Sequence, residues 1–414
     1  MRSRVEWALR AVVLAALVLL LWRTARPPEP PEAVVMARGA LDRALVNATR
    51  EPLAALALDF DSVPDRVHRD WLGAIRAAGT SVTWNARELT SVAIAAAMVP
   101  EPEGRIRVVL GGLDTVGVVL SDALGAIDTI GAADAPAARL LRTASGTLSA
   151  AAPGVRAAAP AVTPVRVRRL LLLGSAGWES KFAIAALEEA GWTVDARIRV
   201  APGVETRQGA DMSLDTARYS AVVALDGAAA PSAGAIARYV AAGGGAVLAG
   251  TATRLPALSR ITPASASARR VAEPRSGLVL GGVKGDAVVL ESRADLPLIA
   301  ARRSGTGRVI ASGYDETWKW RMQRADDAPA AHREWWTALV SAVAYAPPLT
   351  AGDSPGVGDP APVAALTAVL GPPSDRPRGS AAPGSRLPPA WLLFGVLLAA
   401  LLGETVSRRL RGAA

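Results

Sequence analysis

The sequence predicts an α/β protein in which a parallel sheet carries helices on both faces. A small β-rich module precedes it, and a hydrophobic helix lies near each terminus. Three observations lead to this reading. Residues 166–250 alternate short apolar runs with helical segments, the grammar of a parallel sheet. Residues 55–150 carry short apolar runs separated by turn residues, as a small β-rich module does. Residues 11–22 and 389–403 are continuous, uncharged and apolar, and so suggest membrane spans.

The 414 residues suggest two or three domains. Hydrophobic residues make up 51%, much of that excess being Ala. Of 46 basic residues only Lys181, Lys284 and Lys319 are Lys, a bias that with abundant Ala, Gly and Pro points to a GC-rich genome. The net charge of +9 does not imply nucleic acid, because the Arg residues are scattered and no basic run carries interleaved aromatics. With no Cys, disulfides, thiolate nucleophiles and Cys-based metal sites are excluded. His68 and His332 are the only histidines, which argues against a multi-His metal site; no metal or cofactor is expected.

Taken in order, residues 5–22 read as an uncleaved transmembrane anchor, with Trp7 and Trp22 as interface residues. A signal peptide is the rival reading, but no A-x-A-like site precedes the Pro27–Pro31 cluster. Residues 23–54 form a connector. Residues 55–150 form the β-rich module, Ig-like or α+β, with strands near 56–60, 81–84, 105–110, 116–120 and 137–141, and a helix over 65–78. A linker at 151–165 leads to the α/β domain at 166–346. There RRLLLL ends in a strand buried on both faces, and helices are expected over 178–190, 232–242 and 328–345. A Pro/Gly-rich linker covers 347–388, and residues 389–407 form a second transmembrane helix. The short basic flanks place both termini in the cytoplasm and the middle of the chain outside the bacterial cytoplasmic membrane.

Several motifs invite a chemical reading. Gly174-Ser175-Ala176-Gly177 lies where such folds bind phosphate, yet it matches neither G-x-G-x-x-G nor a P-loop, and Glu179 would repel an anion. It reads as a tight turn after Leu173, with Trp178 opening the helix. Thr251 follows a strand but has no neighbouring base, and in a helix His332 and Glu334 point to different faces. The densest cluster contains Trp318, Trp320, Arg321, Asp326, His332, Arg333, Trp335 and Trp336. It serves either as an interaction hot spot or as packing of the last helix onto the sheet, with Arg321 paired to Asp326 or Asp327.

The runs RRLLLLGSAGWESKFAIAALEEAGWTVD, GYDETWKWRMQRADDAPAAHREWW and LLGETVSRRLRG resemble bacterial aerotolerance-type (Bat-like) membrane proteins, which carry a class I glutamine-amidotransferase-like domain between transmembrane helices. The resemblance covers residues 166–345 and the C-terminal helix. It implies a flavodoxin-like, amidotransferase-like parallel sheet whose partners are other membrane proteins, von Willebrand A-domain proteins and a MoxR-type ATPase. Two departures stand out. Asp59-Phe60-Asp61-Ser62 is not a D-x-S-x-S metal motif, and the amidotransferase Cys, expected near Thr251 or Ala252, is missing. The expected function is therefore non-catalytic binding or assembly in the bacterial envelope, with no nucleic acid, metal or cofactor. The alternatives are a carboxylate-dependent hydrolase working through Glu179, Asp226 or Asp315, and a sugar-binding module built on exposed coplanar indoles.

Overall fold

The computed structural model describes residues 2–25, 34–36, 38–50, 55–85, 89–112, 117–131, 134, 137–209, 213–272, 275–349, 358–374, 390–409 and 412. The Pro27–Pro31 cluster and most of the 347–388 linker lie outside them. The chain divides into two compact units. One holds residues 1–92, 152–156 and 361–414, and the other holds residues 93–151 and 157–360.

The first unit contains a three-stranded parallel sheet of Val34–Met36, Ala55–Phe60 and Ser81–Asn85. Helix Arg66–Ala77 starts where Asp65 accepts the His68 N–H, an N-cap. Part of the expected linker is a helix, Pro362–Leu370, and it buries Leu366 and Leu370 against Leu72 and Trp84. The two hydrophobic terminal segments form helices Arg2–Ala25 and Ala390–Arg409, joined by an Arg10–Glu404 ion pair at 2.8 Å. Neither expected transmembrane span is supported. Among the described residues no helix is long and apolar enough to cross a membrane. Charges at Arg10 and Arg23 bound the first apolar run, and Glu404, Arg408 and Arg409 bound the second, so each falls short of the roughly 20 apolar residues a span requires. The membrane localisation, and the topology built on it, lose their basis with those spans.

The second unit is organised on one eight-stranded sheet. Its elements are β1 (Arg169–Ser175), α1 (Trp178–Glu189), β2 (Val194–Ala201), β3 (Val204–Gln208), β4 (Tyr219–Ala224), α2 (Ala233–Ala241) and β5 (Gly245–Ala249). They continue with β6 (Val288–Arg293), β7 (Leu296–Ser304), β8 (Gly307–Ser312), α3 (Trp318–Arg321) and α4 (Ala328–Val343). Strand order is β3-β2-β1-β4-β5-β8-β7-β6. Neighbours from β2 to β8 pair in parallel, whereas β3, β7 and β6 join antiparallel.

The sheet is therefore mixed, and the expected parallel, flavodoxin-like sheet is corrected. The cause is local: tight turns fold strands back on their predecessors, and only antiparallel pairs accept a two-residue connection. Gly203 turns β2 into β3 at φ +76°. Ala294 and Asp295 turn β6 into β7 with φ of 47° and 61°, the two positive values of a type I′ hairpin.

Two cores lie on opposite faces of this sheet. Leu170 and Leu172 of β1 pack with Ala183, Leu187, Trp336 and Val340 of α1 and α4. Leu171 and Leu173 pack on the other side with Ile236, Tyr239 and Leu258. The apolar run of β1 thus feeds both faces, as a strand covered on each side must. A β-rich part completes the unit: Ala93–Met98, Ile106–Gly111 and Ala137–Leu141 form one antiparallel sheet, and Val118–Asp122 pairs antiparallel with Gly125–Ile130 and Ser149–Ala152.

Candidate functional site

From β1 the chain runs to β2 on one side, then crosses back to β4 on the other. The order therefore reverses between β1 and β4, and in open α/β sheets ligands sit in the crevice beyond the carboxyl ends at that point. A cavity of about 200 Å³ lies there, lined by Ser175, Glu179, Ser180, Leu225, Asp226, Thr251 and Asp315. Each lining residue closes or follows a parallel strand, except Glu179 and Ser180, which open α1. Gly250 is part of the geometry. Its φ is +48°, and a Cβ there would meet Cβ of Asp315 at 2.9 Å, so only glycine lets the chain leave β5 beside the cavity.

Three carboxylates converge on this cavity, and each is held by protein donors. Asp226 accepts from the Ser175 N–H at 2.9 Å and the Ala228 N–H at 2.7 Å, and the second of these caps the turn after β4. Asp315 receives both Nη atoms of Arg270, at 2.9 and 2.8 Å, a bidentate fork that fixes its plane. Glu179 accepts from the Thr317 hydroxyl at 2.7 Å and from the Trp318 N–H at 3.1 Å, tying the start of α1 to the start of α3. Burial raises the Glu179 pKa above the usual carboxylate range. The two hydrogen bonds oppose that shift, and the charge of Asp315 adds to it.

Behind Glu179 lies a buried polar chain. Trp336 Nε1 donates to Thr317 Oγ1 at 3.1 Å and to His332 Nε2 at 3.2 Å, and Thr317 Oγ1 lies 3.1 Å from that same nitrogen. Because Nε2 accepts from the indole, the neutral ring carries its proton on Nδ1. Among the described residues Nδ1 has no partner. His332 is only 1% exposed, and burial pushes its pKa down to about 4, with Arg321 lowering it further and Glu189 opposing. His332 and Thr251 make no dyad: the imidazole is committed to Thr317 and Trp336, while Thr251 is exposed at the cavity.

The remaining sequence-marked residues separate into packing and surface. Tyr314, Trp320, Trp335 and Trp336 meet edge to face, with centroid distances of 4.8 Å for Tyr314–Trp320, 5.0 Å for Trp320–Trp335 and 5.1 Å for Trp335–Trp336. Trp320 and Trp336 are buried, so these rings fasten α3 and α4 to the sheet and offer no coplanar platform for a sugar. Trp178 is 56% exposed and stacks on Phe182 at 5.8 Å, with Trp318 tilted against it at 6.3 Å. Arg321 forks onto Glu189 at 2.7 and 3.1 Å rather than onto Asp326 or Asp327. Arg333 lies 3.8 Å from the same carboxylate, and Asp326 is exposed. Thr317, Arg270 and Glu189 carry no distinctive sequence pattern, since Thr317 reaches Glu179, Arg270 reaches Asp315 and Glu189 reaches Arg321, each at least 45 residues away. Among the described residues no group of His, Asp or Glu is placed to hold a metal ion.

No family model matches the chain, and no curated protein matches it. Among solved structures, a cytoplasmic protein from Salmonella typhimurium LT2 is 14% identical, covering 43% of this chain and 100% of its own at a TM-score of 0.30. The exo-β-1,4-mannosidase Op5Man5 from Opitutaceae bacterium strain TAV5 is 14% identical over 42% of this chain and 36% of its own, with a TM-score of 0.30. The GH42 β-galactosidase Gan42B from G. stearothermophilus is 13% identical over 47% of this chain and 32% of its own, with a TM-score of 0.27. Likenesses this weak carry no argument about activity.

Proposed function

We propose that the chain is a binding module that takes a small hydroxylated or cationic ligand in the crevice beyond β1, β4, β5 and β8 and does not turn it over. The observation that carries this reading is that Glu179, Asp226 and Asp315 converge on one cavity while each is already satisfied by fixed protein donors. Carboxylates held this way offer remaining lone pairs to ligand hydroxyl or ammonium groups. A general base has to take and release a proton, and a carboxylate locked into an Arg fork is a poor candidate. Thr251 has no imidazole beside it to activate its hydroxyl.

One observation favours a second reading. Glu179 has a raised pKa, whereas Asp315 faces a guanidinium, and carboxyls in such contrasting environments suit an acid/base pair in a hydrolase. Association with a MoxR-type ATPase and von Willebrand A-domain proteins is a proposal supported by the sequence resemblance alone, and co-purification with those partners tests it.

The full-length protein decides between binding and turnover. Calorimetry against a panel of polyols, monosaccharides and polyamines should give saturable binding that weakens in Asp315→Asn. Chromogenic esters and glycosides should give no turnover. Hydrolysis abolished by Glu179→Gln would replace the binding reading with the hydrolase, and absence of both binding and turnover would remove the crevice as a site.

A further inference from the structure

Thr317 has one hydroxyl proton and two acceptors within its reach. Its Oγ1 lies 2.7 Å from Glu179 Oε1 and 3.1 Å from His332 Nε2, and the Trp336 indole N–H approaches the same oxygen at 3.1 Å. That N–H also lies 3.2 Å from His332 Nε2, so it is shared between the two acceptors. Thr317, His332 and Trp336 are all buried, and buried polar groups need partners.

Two complete hydrogen-bonding patterns fit these four side chains. With Glu179 ionised, the Thr317 hydroxyl donates to Glu179, and the indole N–H serves both Thr317 Oγ1 and His332 Nε2. With Glu179 protonated, its own O–H donates to Thr317 Oγ1, and the indole N–H takes that oxygen's second lone pair. The Thr317 proton then turns to His332 Nε2. Every donor finds an acceptor in both patterns, and the exchange needs only the rotation of one hydroxyl. The Trp318 N–H stays on Glu179 Oε2 throughout.

The charges around the network keep the two titrations apart. Burial raises the Glu179 pKa, whereas burial above all, and Arg321 after it, hold His332 down to about 4, with Glu189 opposing. His332 is therefore neutral while Glu179 titrates. Glu179 lines the crevice and exchanges its proton there, with Asp226 and Asp315 in the same wall. Arg270 forks onto Asp315 and reaches Glu316, which pairs with Lys319 at 2.8 Å, and Lys181 lies over the Trp178 ring.

We propose that Glu179, Thr317 and His332 form a proton-operated switch, by which the crevice gains or loses one negative charge at constant shape. Thr317 and His332 are positioning residues in it. Ionised Glu179 favours a cationic ligand over a neutral polyol, and protonation removes that preference. This consequence rests on the binding reading of the crevice, whereas the switch itself does not.

NMR of the full-length protein, isotope-labelled at Glu and Trp, follows the Glu179 carboxyl and the Trp336 indole N–H as pH is varied. Glu179→Gln and Trp336→Phe assign the two signals. They should move with one midpoint, because the indole is shared above it and bound to Thr317 alone below it. Glu179→Gln, whose amide N–H stands in for the protonated acid, should hold the indole at its low-pH position throughout. His332→Leu removes the acceptor that the protonated pattern needs, so Glu179 should hold its proton about fivefold more weakly, the size of one neutral hydrogen bond. His332→Gln keeps an acceptor and should stay close to the parent. Should His332→Leu fail to fold by far-UV dichroism, the parent and Glu179→Gln carry the test. The switch is overturned by an indole signal that stays still while Glu179 titrates, by one that still titrates in Glu179→Gln, or by an unmoved Glu179 midpoint in a folded His332→Leu.

Calorimetry with spermidine on either side of that midpoint reads the consequence for ligands. Across about two pH units centred there, affinity should rise about tenfold in the parent, following the ionised fraction, and stay level in Glu179→Gln. A pH-independent affinity in the parent would overturn the cation preference. No spermidine binding at either pH would count against the binding reading of the crevice, and the NMR result would still decide the switch.

Discussion

His332 should make the second unit lose stability between pH 7 and pH 5. The imidazole is buried, receives the Trp336 indole N–H on Nε2, and is uncharged when folded. Its pKa falls from 6.5 to about 4 on folding, first because burial disfavours the cation and then because Arg321 lies near. A depressed folded pKa means that the stabilisation is present above the unfolded value and is lost as pH falls toward the folded one. A gap of about 2.5 units corresponds to about 3 kcal/mol in total. Linkage gives about 2 kcal/mol of that loss between pH 7 and pH 5, where the unfolded ring is protonated and the folded ring is not.

The assay is urea unfolding followed by tryptophan fluorescence at pH 7 and pH 5, for the parent and for His332→Gln, whose amide oxygen accepts from Trp336 without titrating. The parent should lose about 2 kcal/mol more than the variant over this interval. His68 works in the opposite direction: Asp42 above all, and Asp65 with it, raise its pKa, so its contribution is lost as pH rises. His68→Gln in both backgrounds therefore serves as the control. Parallel pH dependences for parent and His332→Gln would refute the assignment.

Three further outcomes follow from the same geometry. Arg105→Ala leaves Glu101 buried without its fork partner, and should destabilise the second unit by about 3–5 kcal/mol in urea unfolding. Gly313→Ala should impair folding, read as lost soluble yield and a lowered thermal midpoint. The new methyl would overlap the Leu278 carbonyl oxygen, and the Gly313 backbone is fixed by bonds to Leu278 and Leu298 at 2.8 Å each. In Glu179→Gln, the stability decline seen as pH rises through the raised Glu179 pKa should vanish, because the carboxyl's protonated form is the one that burial favours. Denaturant titrations from pH 4 to pH 7 check that sign.

The sequence marked several elements of the second unit within two residues. The strand read in RRLLLL is β1, the helix expected over 178–190 is Trp178–Glu189, and that over 328–345 is Ala328–Val343. Apolar runs and glycine stops report on the local chain, so these were legible. The antiparallel strands β3 and β6 were not. β3 is exposed at every position and so lacks an apolar pattern, and the turn before β7 uses Ala294 and Asp295 where glycine would have signalled a hairpin. The terminal segments misled for a different reason. A short apolar run suits both a membrane span and a helix that packs on a partner helix, and the distinction rests on length and flanking charge, with Arg10 and Glu404 paired between the two.

By itself, then, the sequence determined that this is an α/β chain without thiol chemistry, with a turn between the RRLLLL strand and the helix that follows it, and it left open whether the tryptophan-rich segment packs the last helix or recognises a partner. Only the tertiary structure decided which charges meet. Glu179 reaches across 138 positions to Thr317, Arg270 crosses 45 to fork onto Asp315, and Arg321 chooses Glu189 over its neighbours Asp326 and Asp327. Periodicity reads the one face an element buries. The pairing of polar groups is set by where strands end in space, and that depends on the order in which the sheet is assembled, which no local pattern records.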